Sequence, residues 1–391
     1  MKKNNLNMTV TKFVILLGLV SLFADITYEG ARSITGPYLA LLGASATAVG
    51  FVAGFGELVG YGLRLISGYV SDKTKKYWAI TITGYAINLI AVPLLALAGN
   101  WSVAAILMIA ERTGKAIRNP SRDAMLSHAT KQMGHGWGFG LHEAMDQIGA
   151  MLGPLIVSAI LCWKGSYRTG FAVLLIPAFL ALTTLLIARF LYPRPHDLEI
   201  KTPSLETRGL SRSYWLYVLG VGLIAAGYAD FPLIAYHFEK FSTVSKVWIP
   251  ILYSIAMASD AIAALIFGRL FDRSGIPVII MASLIAMFFA PLVFLGGFSL
   301  AFLGMILWGV GMGAQESIMR AYIAGIVSSE KRGTAFGVFN ATYGLLWFLG
   351  SLILGFMYDI SIPLVVLFSV LLQGSSIPVF LLASGKQEKI S

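Results

Sequence analysis

The sequence predicts an all-α membrane protein with 12 transmembrane helices in two six-helix pseudo-symmetric halves, and three observations predict it. Hydrophobic residues make up 57% of the 391-residue chain and charged residues only 12%, and the mean hydropathy is +0.77, far from the range of soluble domains. The apolar residues fall in runs of about 20, the length that crosses a bilayer as a helix, whereas barrel strands would be shorter and alternating. The pattern Gly68, Asp72, Lys73 at the end of one apolar run returns 200 positions later as Gly268, Asp272, Arg273. Such an echo is expected of two related membrane halves.

The runs predict spans over 12–40, 45–70, 78–98, 101–120, 136–162 and 168–191, then 213–238, 247–269, 276–296, 298–324, 334–357 and 361–383. Backbone exposed to lipid must satisfy its own hydrogen bonds, so each span is helical. The chain divides into residues 1–191, a polar cytoplasmic linker over 192–212 that includes Arg194, Asp197, Glu199, Lys201 and Glu206, and residues 213–391. A second echo supports the division: Phe139, Gly140, Ala144 and Gly153 reappear as Phe336, Gly337, Ala341 and Gly350.

In a soluble protein a net charge of +10 would point to nucleic acid; here the bases gather in alternate loops. Lys73, Lys75, Lys76, Arg118, Arg122, Lys131, Arg269, Arg273, Lys331, Arg332, Lys386 and Lys389 fall on one side, against Lys164, Arg168, Lys240 and Lys246 on the other. The positive-inside rule then places both termini in the cytoplasm of a multi-pass protein of the cell inner (plasma) membrane. The partners expected are the lipid bilayer and a small molecule, with no nucleic acid. Lys2 and Lys3 before the apolar run Phe13–Phe23 and Ala24 have the form of a secretory leader, but cleavage would leave an odd number of crossings. Cys162 is the only cysteine, which excludes an intramolecular disulfide and a multi-thiolate metal site.

Charges inside the spans carry the functional signal, because each costs roughly 2.5 to 3.5 kcal/mol at the bilayer centre unless it faces a cavity or a partner. Asp25, Glu29 and Arg32 fall at i, i+4 and i+7, a single helical stripe. Glu111, Lys115 and Arg118 form a second stripe with Arg112 beside it, and His142, Glu143 and Asp146 lie within about one turn. These three groups are candidates for a proton-coupling or substrate cavity. A buried salt-bridge network that never titrates would use the same residues. Asp25 and Asp146 are favoured as the proton carrier, since coupling needs a carboxyl group that a like charge or burial discourages from ionising. Asp260 joins the candidates because its span supplies no nearby base.

Two six-helix halves, a central cytoplasmic loop and a Gly-x-x-x-Asp-base motif after the second helix of each half resemble the major facilitator superfamily. Gly68 through Asp72 and Lys73 to Lys76 correspond to its loop between helices two and three, with Lys75 where the family usually has glycine. The resemblance implies that Gly68, Asp72, Lys73, Lys76 and Arg118, with Gly268, Asp272 and Arg273, form a cytoplasmic gate, and that the three charged clusters meet across a central cavity. Gly140, Gly149 and Gly153 with Pro154 resemble a fifth-helix packing motif of proton-coupled exporters, although Val157 and Ser158 stand where exporters carry a glycine pair. The stretch from Glu111 to Asp123, with Arg112 a turn later than the family's arginine, is similar to an uncharacterised prokaryotic branch.

No phosphate-binding loop or hydrolytic residue set is present, so the chain is not expected to be an enzyme, and neither a cofactor nor a resident metal is expected. The expected function is secondary active transport by alternating access, as proton-coupled antiport and efflux of a small organic molecule or drug. The alternatives are transport of a metal ion, metal chelate or charged nutrient, and a non-transporting sensor or scaffold of the same fold. The resemblance implies a monomer.

Overall fold

The computed structural model describes residues 2–130, 135–193, 211–326 and 332–384. Most of the expected linker and the loop bases Lys131, Lys331, Lys386 and Lys389 lie outside them. Every regular element among the described residues is helical. The first half of the sequence forms α1 (Lys2–Leu41), α2 (Ala46–Thr74), α3 (Tyr77–Leu94), α4 (Trp101–Thr130), α5 (His135–Lys164), α6 (Tyr167–Val173) and α7 (Leu175–Leu191). The second forms α8 (Arg212–Gly227), α9 (Phe231–Phe241), α10 (Trp248–Ser274), α11 (Ile276–Ala286), α12 (Phe289–Leu295), α13 (Phe298–Ile326), α14 (Arg332–Ile360) and α15 (Ile362–Ser384).

Eleven segments among the described residues are long and apolar enough to cross a membrane. The remaining expected span lies in α4, which carries Glu111, Arg112, Lys115 and Arg118 within about two turns and is too polar to count by composition. Three expected spans are helix pairs, broken at Leu174, at Tyr228–Asp230 and at Met287–Phe288. Helices also overrun the apolar runs, α4 by ten residues to Thr130 and α10 by five to Ser274. Hydropathy marks where lipid ends, whereas backbone hydrogen bonding continues the helix into water.

The contacts divide the chain into two units, Met1–Thr35 with Val59–Lys201, and Gly36–Leu58 with Thr202–Ser391. The core of unit 1 packs Phe13, Leu17 and Val20 of α1, Trp78, Tyr85 and Leu89 of α3, Met125 of α4 and Leu185 of α7. The Trp78 indole donates to the Tyr192 carbonyl at 3.0 Å, and the Phe13 ring lies 4.9 Å from that of Tyr192. Since lipid tails are as apolar as these side chains, packing and buried hydrogen bonds hold the helices together. In unit 2 the broken α8–α9 backbone is satisfied by side chains: the Gly227 carbonyl accepts from Ser369 Oγ at 2.7 Å and Gln373 Nε2 at 3.3 Å, and the Ala229 carbonyl from Trp308 Nε1 at 2.9 Å.

The sequence echo has a backbone counterpart. After α2, Lys75 adopts φ 55° and donates to the Ser71 carbonyl at 2.8 Å; after α10, Gly275 adopts φ 64° and donates to the Phe271 carbonyl at the same distance. Gly275 therefore holds the turn that Lys75 holds 200 positions earlier. Likewise Gly153 packs on the Ile26 carbonyl and Gly350 on that of Ala226.

Lys75→Gly is expected to stabilise the protein by up to about 1 kcal/mol, since left-handed backbone costs an L-residue about 1–2 kcal/mol and glycine's freer unfolded chain offsets part of the gain. Gly275→Ala is expected to cost about 1–3 kcal/mol. Thermal unfolding in detergent checks both; shifts of the same sign would contradict the equivalence of the two turns.

Candidate functional site

α1 supplies the acids of unit 1. Asp25 and Glu29 are 5% and 7% exposed, one turn apart, with Tyr28 buried between them. α5 lies against this stretch because Gly149 and Gly153 present no side chain: a Cβ on Gly149 would collide with the Leu22 carbonyl and Asp25 Cβ, and one on Gly153 with the Ile26 carbonyl and the Gly30 nitrogen. That close approach brings Asp146, about one turn before Gly149, into the electrostatic surroundings of Asp25, together with Lys115, Arg118 and Glu29. His142 lies one turn before Asp146, with Nδ1 3.5 Å from Asp146 Oδ2.

α4 supplies the bases. Lys115 Nζ stands 3.9 Å from Glu29 Oε1 and 3.8 Å from the centre of the Tyr28 ring. Arg118 is fully buried, its guanidinium carbon 4.0 Å from the Tyr85 ring centre and 5.7 Å from that of Tyr28. Desolvated cation–π contacts of this kind contribute about 2 kcal/mol. Arg122 donates through Nη1 to Ser21 Oγ at 3.0 Å and pairs with Asp123 at 2.9 Å. Glu111 is held separately, accepting from Asn88 Nδ2 at 2.8 Å and lying 3.4 Å from Arg112. Arg118 Nε and Nη1, His142 Nε2 and Asp146 Oδ1 are buried and have no hydrogen-bond partner among the described residues.

The structure thus brings together Asp25, Glu29, Lys115, His142 and Asp146 with Arg118, which its helical stripe placed among the cavity candidates and the family resemblance placed in the cytoplasmic gate. Arg118 lies within the expected span 101–120, and α4 runs on past it to Thr130 with the Arg118 side chain buried. Arg32 is half-buried, and Glu143 is exposed because one residue along a helix turns a side chain about 100° from His142. Asp260 belongs to unit 2, buried on α10 against Gly313 of α13. Of the other gate residues, Gly68 faces Pro120 of α4, and the neighbouring Ser71 accepts from Ser121 Oγ at 2.9 Å. Asp72 is half-buried, and Lys73, Lys76 and Arg273 are exposed. Gly268 faces Ser317 of α13, while the side chain of Asp272 lies outside the described residues. Gly140 lies on α5 with Gly149, Gly153 and Pro154. Sequence reasoning missed Asn88 and Tyr85 as polar neighbours of the charges; the signal was there, since Asn88 is an amide inside the otherwise apolar span 78–98.

Helix order, the paired turns and an intramembrane charge cluster are joined by a direct match: residues 17–351, and again 231–385, fit the family described as the Major Facilitator Superfamily. The chain belongs to this superfamily. Within it, an uncharacterized protein of Mycobacterium tuberculosis is 39% identical over 369 residues, which cover 93% of this chain and 90% of that one. An uncharacterized MFS-type transporter of Methanocaldococcus jannaschii is 29% identical over 377 residues, 92% of each chain. Among solved structures, the nucleoside transporter NupG superposes with a TM-score of 0.73 at 16% identity, over 95% of this chain and 98% of that one, a likeness of fold. The protein is a Major Facilitator Superfamily transporter, a multi-pass membrane protein.

Gly149→Val is expected to cost at least about 1–3 kcal/mol by forcing α5 off α1, whereas Gly60→Val, with nothing within 4 Å of its added Cβ, is expected to be neutral. The folded yield in size-exclusion chromatography compares them, and equal yields would contradict the close α1–α5 contact.

Proposed function

We propose that this transporter works by alternating access between its halves, residues 1–191 and 213–391 joined by 192–212, and exports a small organic solute in exchange for protons. The observation that carries the reading is the neighbourhood of Asp25 and Asp146: Gly149 seats α5 against Asp25, so that two carboxyl groups influence one another electrostatically, Asp25 buried and Asp146 with a buried oxygen unfilled among the described residues, near a guanidinium whose Nε and Nη1 are likewise unfilled. Two such acids are most easily kept in a low-dielectric setting by sharing one proton. When that proton leaves, Arg118 and Lys115 are the cations at hand for the carboxylate left behind. Protonation and local pairing are then alternatives, which is what coupling requires. Glu29 is engaged by Lys115, Glu111 by Asn88 and Arg112, and Arg122 by Asp123, so these groups frame the pair.

The exporter direction rests on the fifth-helix glycines, which bring α5 against the acid-bearing face of α1. Cytoplasmic termini and a plasma-membrane location follow from the loop charges. Among the described residues no group of three or more His, Cys, Asp or Glu is placed to hold a metal ion. The cytoplasmic loop of Gly68, Asp72, Lys73 and Lys76 acts as the gate, with Gly268, Asp272 and Arg273 as its second copy.

In proteoliposomes, a pH gradient is expected to drive flux of at least one solute from a panel of organic cations, anions and zwitterions. Asp25→Asn and Asp146→Asn are each expected to lower that flux at least tenfold, corresponding to about 1.4 kcal/mol or more. Wild-type coupled flux in both variants would sink the assignment. Asp72→Asn is expected to slow turnover while leaving solute binding within about twofold, because a gate residue biases conformations and does not touch cargo; lost binding with normal cycling would contradict its role.

A further inference from the structure

Unit 2 holds a buried carboxylate outside this cluster. Asp230, 2% exposed, stands at the break between α8 and α9. Both of its oxygens are taken by one face of α14: Trp347 Nε1 donates to Oδ1 at 2.8 Å and Ser351 Oγ to Oδ2 at 2.5 Å. The Gly227 and Ala229 carbonyls at the break are already satisfied by Trp308, Ser369 and Gln373, so they do not call on the Asp230 side chain. What Asp230 adds is a tie from the start of α9 to α14.

The same two helices carry Gly36–Leu58, the segment of α1 and α2 that packs with unit 2 while the remainder of both helices packs with unit 1. A Cβ on Gly50 would overlap the Ser351 carbonyl, and one on Gly54 would stand 2.8 Å from Ser351 Cβ. Phe51 and Phe55 flank Phe348, with ring centres 5.8 and 5.9 Å away. Gly36 rests on the carbonyl of Pro232, two residues after Asp230. Further along α14, Asp359 accepts from the first backbone N–H groups of α2, Ala46 at 3.1 Å and Thr47 at 2.8 Å. Ser351 thus touches Asp230 through its hydroxyl and the docked segment through its backbone.

We propose that Asp230 is a positioning residue of the transport cycle: its ionised form holds α9 and α14 closed on Gly36–Leu58, and its protonation releases that segment. This rests on the alternating-access reading above. Bonds to a carboxylate are roughly twice as strong as neutral ones, and a proton on either oxygen removes that advantage and turns an acceptor into a donor facing Trp347 or Ser351, where the indole has only a donor to offer. The titratable neighbours are the phenols of Tyr228 at the break, Tyr253 of α10 against Phe231, and Tyr343 of α14 against Trp347. The charged or basic groups on the packed elements are His237, Glu239 and Lys240 of α9, Asp260, Arg269, Asp272 and Arg273 of α10, Arg332 and Asp359 of α14, and Glu57, Arg64, Asp72 and Lys73 of α2. His237 is bonded to Tyr358 at 2.9 Å, and Asp359 is engaged by α2. Asp230 is the carboxylate that bridges the two helices directly.

The test places Val52→Cys, at a position only 3% exposed on the docked segment, in a Cys162→Ser background and measures its labelling by a water-soluble maleimide across pH. Exposed Cys162 of the native chain, labelled in parallel, corrects for thiolate fraction. Corrected labelling is expected to rise about tenfold as pH falls, and in Asp230→Asn to be fast at every pH. Slow, normally pH-dependent labelling in Asp230→Asn would overturn the proposal, as would pH-independent labelling in the parent. If Asp230→Asn does not fold, Ser351→Ala and Trp347→Phe decide: faster labelling at high pH supports the latch, and unchanged labelling in both overturns it. The assay needs neither solute nor proton flux, so its failure is separable from failure of the transport reading.

Discussion

A charge in hydrocarbon must find a partner, and that constraint organises unit 1. α4 places Glu111, Arg112, Lys115 and Arg118 at membrane depth, where each would cost roughly 2.5 to 3.5 kcal/mol if it faced lipid. The helix is tolerable only because α1, α3 and α5 present acids, an amide and tyrosine rings to it. Gly149 and Gly153 let α5 close on α1 so that Asp146 and Asp25 fall in the same layer as those bases. Glycine spacing, helix packing and the nearness of the two acids are consequences of one requirement.

The two halves repeat their backbone and differ in chemistry. Asp25 and Glu29 have Ala225 of α8 and Ala229 of the following break at the equivalent positions, while Gly30, which meets Gly153, is matched by Asp230. Where unit 1 has a distributed network, unit 2 has at this helix a carboxylate, Asp230, set among tyrosine and tryptophan rings. Duplication preserved the helix contacts, as at Gly153–Ile26 and Gly350–Ala226, and left the polar groups to diverge. The clustered acids and bases thus lie in unit 1, and the docked segment Gly36–Leu58 packs within unit 2.

Much of this was legible in the residues. Lipid imposes length and apolarity on every span, so the runs from Thr11–Leu41 to Ile362–Ala383 stand out, and acids such as Asp25 and Asp146 are conspicuous against them. The helix breaks were not legible, because Tyr228–Asp230 departs from helical geometry where Trp308, Ser369 and Gln373, distant in sequence, satisfy its carbonyls. For Arg118 the residues offered two places, a stripe inside span 101–120 and a base at the cytoplasmic end of that span, and only the fold shows the side chain buried against Tyr85. Which members of the α5 group turn inward was likewise not legible: His142 is buried with Nδ1 3.5 Å from Asp146, whereas Glu143, the next residue along the helix, is exposed.

The central claim is that Asp25 and Asp146 hold one exchangeable proton between them. Infrared difference spectra of the reconstituted protein across a pH titration, with carboxyl bands compared among the parent, Asp25→Asn and Asp146→Asn, test it most directly because no solute is required. The account predicts a protonated-carboxyl band whose titration is abolished or displaced by either substitution. A band that titrates identically in all three proteins would contradict it.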